Sequence, residues 1–260
     1  MAPGDGQGPA AGEVAALLAL YAQGRFADVA ARAARLVEAW PSDALAWKIL
    51  GTAQQQLGQI EAARTALSRA CALDPADREA HNNLAALLRD AGALAQAEAL
   101  ARQALALDPS AMPTILNLGL ILAGQGRYGE ALVYLHDAHA RLPGDILTAF
   151  NLGLCHRGLG DLAAAIQFFR QALAGNPNFA AAHLNLGASL LDAGDAASAA
   201  ASLRAGLALA PKSAEGMATL GSALLVLGQL REGLQLLGDG YGLVRFDRQA
   251  GVSIYEGVAP

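Results

Sequence analysis

The sequence predicts an all-α solenoid of about seven antiparallel helix pairs, and three ladders of residues spaced 34 apart predict it. Prolines stand at Pro41, Pro75, Pro109, Pro143, Pro177 and Pro211. Glycines stand at Gly24, Gly58, Gly92, Gly126, Gly160, Gly194 and Gly228. A Leu followed by a small residue recurs at Leu50-Gly51, Leu84-Ala85, Leu118-Gly119, Leu152-Gly153, Leu186-Gly187 and Leu220-Gly221. A fixed period of this length marks stacked supersecondary units, and ladders that share one register exclude coincidence.

Each rung has a physical reason. Proline lacks an N–H and clashes with the preceding turn, so it falls where a helix ends. Asp74 or Asp108 before the proline, or Ser42 and Ser110 after it, can help to start the next helix. The glycine falls between the two helices of a unit and supplies the left-handed residue that closes a helix C-terminus. The small residue after Leu, and a further ladder at Ala63, Ala97, Ala131, Ala165 and Ala199, let paired helices approach.

In chain order, residues 1–9 are rich in Gly, Pro and Ala and read as a disordered start. They lack the cationic flank and apolar stretch of a signal peptide. Repeat units begin near residues 10, 44, 78, 112, 146, 180 and 214 and fill 10–240. The first departs from the pattern, with Val29 at the small position and no Leu-Gly pair. The second shows helical periodicity most clearly, with Trp47, Leu50, Gln54 and Leu57 in its first helix and Leu67 and Ala70 in its second. The last has Gly233 and Gly240 where Ala is usual and no closing proline. Terminal units face water on one side, so both outer units read as caps. Helical pattern stops near Leu237, where Gly238, Gly240 and Gly242 interrupt it. Residues 241–260 form a tail: either two short strands, Leu243–Phe246 and Val252–Tyr255, turned through Asp247–Gly251, or an irregular segment laying Phe246 or Tyr255 on the final helix.

Composition narrows function. Hydrophobic residues make up 54% of the 260 positions, enough for a core, and aromatics only 5%. The net charge is −5, and lysine occurs only at Lys48 and Lys212. A nucleic-acid groove needs clustered cations, so none is expected, and no apolar run is long enough to insert in a bilayer. Two cysteines, Cys71 and Cys155, form neither a disulfide framework nor a zinc motif. The expectation is a cytoplasmic protein without cofactor or metal. His81 and His183 occupy the packing position of Trp47. His136 and His139 have no third ligand in sequence and read as surface residues. Cys155 and His156 are adjacent in a helix and point apart, so they do not form a nucleophile–base pair. No phosphate loop follows a strand, and no catalytic residue is expected.

The ladders resemble the tetratricopeptide repeat family, whose pattern runs Trp, Leu-Gly, Tyr, Gly, Ala, Phe, Ala, Pro. The unit Ala44–Asp77 carries Trp47, Leu50, Gly51, Gly58, Ala63, Leu67, Ala70 and Pro75. The unit Ile146–Phe179 carries Leu152, Gly153, Gly160, Ala165, Phe169, Ala172 and Pro177. The resemblance implies a right-handed superhelix whose concave face is lined by the first helix of each unit. It places Asn83, Asn117, Asn151 and Asn185 on that face. A carboxamide offers donors and an acceptor, so such a row suits the backbone of an extended peptide. It is similar to the asparagine ladder of glycosyltransferases that carry tetratricopeptide superhelices. The same position also serves local structure in the family. Leu116, Phe150 and Leu184 precede the last three asparagines, and Leu120, Leu154 and Leu191 follow one to two turns on. These either make the groove apolar or pack between units. Lys48, Arg89 and Arg157 are the nearby cations. They do not form the family's Lys-Asn-Asn-Lys-Arg carboxylate clamp, so chaperone-tail binding is not expected. The expected function is a protein-interaction module that binds an extended peptide segment of a partner. Two alternatives stand beside it: a substrate-recognition accessory to a modifying enzyme acting in trans, and a scaffold that self-associates.

Overall fold

A computed structural model of the chain describes residues 11–241 and the backbone of 244–247 and 251–254. The expectations for residues 1–9 and Tyr255 lie outside the described residues, as does the side chain of Phe246. Two compact units divide the chain after Gln125. The first holds α1 (Ala11–Ala22), α2 (Phe26–Ala39), α3 (Ala44–Gln56), α4 (Ile60–Leu73), α5 (Arg78–Asp90), α6 (Leu94–Leu107) and α7 (Met112–Gly124). The second holds α8 (Tyr128–Arg141), α9 (Ile146–Gly158), α10 (Leu162–Gly175), α11 (Ala180–Asp192), α12 (Ala196–Leu209), α13 (Ala214–Val226) and α14 (Leu230–Tyr241). Two strands follow, β1 (Val244–Asp247) and β2 (Gly251–Ile254), paired antiparallel with Val244 opposite Ile254. Within each unit, every helix packs on the helices next to it in sequence.

The glycine ladder closes the first helix of each pair. All seven glycines have φ between +70° and +88°, and an added Cβ would meet nothing within 4 Å at any of them. Conformation alone therefore selects glycine there. The starts of the first helices differ from expectation. Asp43, Asp77, Asp145 and Ser213 are the caps, accepting from the N–H groups of Ala46, Ala80, Thr148 and Gly216 at 2.7, 3.0, 2.7 and 3.1 Å. A capping side chain reaches the third N–H inside the helix only from the residue just before it, and Ser42 and Ser110 stand one position too early. Asp74 and Asp108 instead close α4 and α6. They then accept from the backbone of Ala76 and Ser110, at 3.0 and 2.9 Å.

Paired helices meet at their midpoints. A Cβ on Gly51, Gly153 or Gly187 would fall 2.7, 2.6 and 2.4 Å from the side chains of Leu67, Phe169 and Leu203. These partners lie symmetrically about the intervening turn, which makes each pair antiparallel. Where the glycine is replaced, the opposite side chain changes with it. The same two positions hold Ala85 and Ala101 one repeat after the Gly51–Leu67 pair, and Leu17 and Ala33 one repeat before it. All four are fully buried. The first unit's missing Leu-Gly is thus a reversed pairing, large on α1 and small on α2, inside a core that also holds Val29, Leu36, Ile49 and Leu50.

The last helix runs further than the sequence predicts. It continues through Gly238 and Gly240 to Tyr241, and Gly233 and Gly240 bring it against α13. A Cβ on Gly233 would sit 2.9 Å from the Gly221 carbonyl oxygen, and one on Gly240 2.7 Å from that of Ala214. Backbone contact of this kind outweighs glycine's poor helix propensity.

Candidate functional site

The repeat length sets the asparagines of successive first helices at one register, but the four amides do different things. Asn117 is 4% exposed. Its Nδ2 donates to Asn82 Oδ1 at 3.1 Å, and its Oδ1 accepts from Arg89 Nη1 at 2.7 Å. Asn185 repeats half of this arrangement, accepting from Arg157 Nη1 at 3.0 Å and donating to the Ala181 carbonyl at 2.9 Å. Asn151 donates to the Leu147 carbonyl at 2.7 Å. Asn83 is half-buried, and among the described residues its amide has no hydrogen-bond partner. By the donor and acceptor count of a carboxamide, Asn83 is open entirely. Asn151 keeps its oxygen and one N–H, and Asn185 keeps one N–H.

Arg89 and Arg157 therefore act on the asparagine ladder itself. Each sits 28 residues before the asparagine it holds, so the link joins consecutive repeats. Sequence reasoning assigned these arginines to the face without that role. The recurring offset of 28 was the available signal.

Two clefts open between consecutive first helices. In the first unit, a cleft of about 230 Å³ is lined by Arg78, Glu79, Asn82, Asn83, Ala111, Pro113 and Thr114. In the second, one of about 220 Å³ is lined by Ala181, Leu184, Asn185, Ser213, Glu215 and Gly216, with Arg157, Ala188, Leu203 and Thr219. Residues 79, 82, 83, 111, 113 and 114 each find their counterpart 102 positions later, which is three repeat lengths. The two clefts are the same place in the repeat. Their linings differ: the first is polar, while the second has an aliphatic floor between the Arg157 guanidinium and the exposed Glu215 carboxylate.

The apolar candidates divide between packing and lining. Phe150 stacks at a tilt on Phe179 and Phe169, with ring centroids 4.7 and 5.7 Å away. Leu154 and Leu191 pack on the second unit's core. Leu184 does both. It lines the cleft, and its Cδ2 would stand 2.7 and 2.8 Å from a Cβ placed on Gly206 or Gly216. Leu116 and Leu120 are partly exposed on α7.

Polar anchors sit at the edges. Lys48 reaches Asp77 at 2.8 Å and Glu79 at 3.1 Å. Burial pushes the Asp77 carboxyl up, but the Lys48 ammonium and the Ala80 N–H outweigh it and hold the group below its ordinary range. Burial likewise lowers Lys48, and Asp77 and Glu79 more than restore it, so it lies above its ordinary value. Trp47 Nε1 donates to the Pro41 carbonyl at 2.9 Å, and His183 Nε2 makes the equivalent 2.9 Å bond to Pro177. His81 is buried and bonds the Asp77 carbonyl through Nδ1 at 2.9 Å.

Burial pushes the Cys155 thiol up to about 11, and burial with the Asp77 charge does the same for Cys71. Neither is a ready nucleophile. Among the described residues, no group of three or more His, Cys, Asp and Glu is placed to hold a metal, and no helix is long and apolar enough to cross a membrane.

Tetratricopeptide-repeat family profiles match residues 80–107, 111–178, 150–214 and 184–241, and a profile described as TPR repeat matches 51–92. A search of curated proteins finds no match. Among solved structures, a chain of the APC/C hetero-tetramer Cut9–Hcn1 is similar at 23% identity and a TM-score of 0.72, covering 87% of this chain and 45% of its own. This chain thus spans less than half of that one. PilW, a widely conserved type IV pilus biogenesis factor, matches at 22% identity and 0.69, over 82% of this chain and 96% of its own. YrrB, described as a TPR protein with an unusual peptide-binding site, matches at 19% and 0.60, over 71% of this chain and 95% of its own. Identities this low speak to the fold.

Proposed function

Because the chain belongs to the tetratricopeptide repeat family, and so is built as a protein-interaction scaffold, we propose that it binds an extended segment of a partner protein in the clefts between consecutive first helices. One observation carries this reading: both clefts fall at the same register of the repeat, and each is bordered by an asparagine with spare hydrogen-bonding capacity. An extended backbone has unpaired N–H and C=O groups along its length, and Asn83, Asn151 and Asn185 offer the complementary donors and acceptors. Asn117 serves by holding Asn82 in the cleft wall, with Arg89 bonded to its other side. Leu184, with Leu203 beneath it, supplies an apolar floor for a side chain, while Phe150 and Leu154 support that floor from below. A neutral hydrogen bond contributes about 0.5–1.5 kcal/mol net, so affinity comes from several rungs together with a filled cleft.

The test is affinity capture from the native lysate, with wild type beside a triple Asn83→Ala, Asn151→Ala, Asn185→Ala variant and a chain ending at Gly240. Circular dichroism first verifies that the folds match. The expected result is a partner held by wild type and by the shortened chain but lost from the triple variant. A partner retained by the triple variant and lost on shortening would move recognition to the tail and overturn the reading.

A further inference from the structure

Three of the chain's five histidines meet on one phenylalanine in the second unit. His136 and His139 come from α8, His156 from α9 and Phe168 from α10. His156 stacks on Phe168 with ring centroids 5.4 Å apart and planes within 17°. His139 and His136 approach the same ring at 5.8 and 5.9 Å, and His136 lies 5.7 Å from His156. The sequence separates His156 from the other two by a whole turn and helix start, so only the fold unites them.

The hydrogen bonds fix which nitrogens carry protons. The Asp161 carboxylate accepts from His156 Nδ1 at 3.1 Å, so the neutral ring leaves Nε2 bare. That Nε2 is buried without a partner. Gln171 donates to the Pro143 carbonyl at 3.1 Å through Nε2, and the same nitrogen lies 3.3 Å from His139 Nε2. Because that amide nitrogen only donates, His139 Nε2 is the acceptor and its N–H sits on Nδ1, which is buried and unpartnered. A proton added to His139 Nε2 would set donor against donor and break the link between α8 and α10. One added to His156 Nε2 would bury a charged donor with no acceptor.

We infer that the junction of α8, α9 and α10 is a proton-sensitive seam, closed while its histidines are neutral and loosened as they become cations. The Asp161 carboxylate favours a cationic His156 through Nδ1 but leaves the buried Nε2 without an acceptor. On α8, Asp137 is paired with Arg141 at 2.9 Å. On α9, Arg157 is turned to Asn185 at 3.0 Å and lies 3.9 Å from Asp192. Arg170 on α10 interacts with Asp195. Asp161 faces the cluster and bonds both His156 and the Ala164 N–H. Partial burial, then the neighbouring His156 and His139, hold the His136 imidazole below its ordinary value. A depressed histidine gives stability that is lost as pH falls from the unfolded value towards the folded one, which is the direction the hydrogen bonds require.

Hydrogen exchange of the full chain, read by mass spectrometry at about pH 7.5 and about pH 5.5 with EDTA present and corrected for intrinsic rates, tests the seam. Protection of α8 and α9 is expected to fall by roughly tenfold, while α11 and α12 keep theirs. A triple His136→Gln, His139→Gln, His156→Gln variant should show no such local change. Equal loss over α11 and α12, no loss over α8 and α9, or a local loss that persists in the variant would each overturn the inference. The wild-type comparison decides the first two even if the variant does not fold.

Discussion

Asp77 shows how much one side chain can hold in a repeat. It caps α5 through the Ala80 N–H and, at 16% side-chain exposure, forms an ion pair with the equally covered Lys48 of α3. Replacing it with Asn keeps a capping oxygen and removes the charge; replacing it with Ala removes both. Asp77→Ala is therefore expected to lower stability by about 1 kcal/mol more than Asp77→Asn, measured by urea unfolding. The pH dependence follows from the two shifts. The depressed Asp77 stabilises above the ordinary carboxylate value and loses its contribution as pH falls through its lowered one. The raised Lys48 stabilises below the ordinary lysine value and loses its contribution as pH rises through its raised one. Both contributions are present at neutral pH. Asp77→Asn should flatten the acid limb of the melting-temperature profile, and an unchanged acid limb would refute the pairing. At Gly160, with φ +78° and no steric obstacle, alanine is expected to cost about 1–2 kcal/mol through backbone conformation alone. Asparagine there should cost less than alanine in the same melts.

Helix pairs behave as size-matched units. Gly51 faces Leu67, and the same two places hold Ala85 with Ala101 in the next pair. Ala101→Leu alone should overpack the α5–α6 seam and cost about 1–3 kcal/mol. Adding Ala85→Gly recreates the Gly–Leu match and should recover most of that loss, read as non-additivity in a double-mutant cycle. In the last pair, Gly233→Ala should destabilise although alanine favours helix, because its Cβ would press on the Gly221 carbonyl. A rise in melting temperature would show that α13 and α14 can part without cost. These pairings mark how far the sequence could be read. The ladders revealed the helices, their turns and their period, because each rung reports a backbone need. The exchange of size between positions 16 apart was visible only as missing consensus at Leu17 and Ala85. The asparagines were visible as a register. Which amides were free was not, since that depends on where Arg89, Arg157 and Asn82 direct their side chains. The meeting of His136 with His156 had no sequence signal, because they come from different repeats and no ladder contains both.

For the whole chain, packing within each unit passes only between near neighbours in sequence. Stability is then close to a sum over pairs and their interfaces. A cavity made in α12 by Leu203→Ala, at a fully buried site, should raise hydrogen exchange in α11 and α13 and leave α8 unaffected. Uniform loss of protection across the second unit would instead mean that it opens as one body. This locality also bears on synthesis. A ribosome adds about 5–20 residues per second, and a helix forms within about a microsecond. Inside each unit, a finished pair can therefore dock on its predecessor long before the next one emerges. The growing chain has only its newest hairpin in need of shelter from chaperones, however many repeats have already been made.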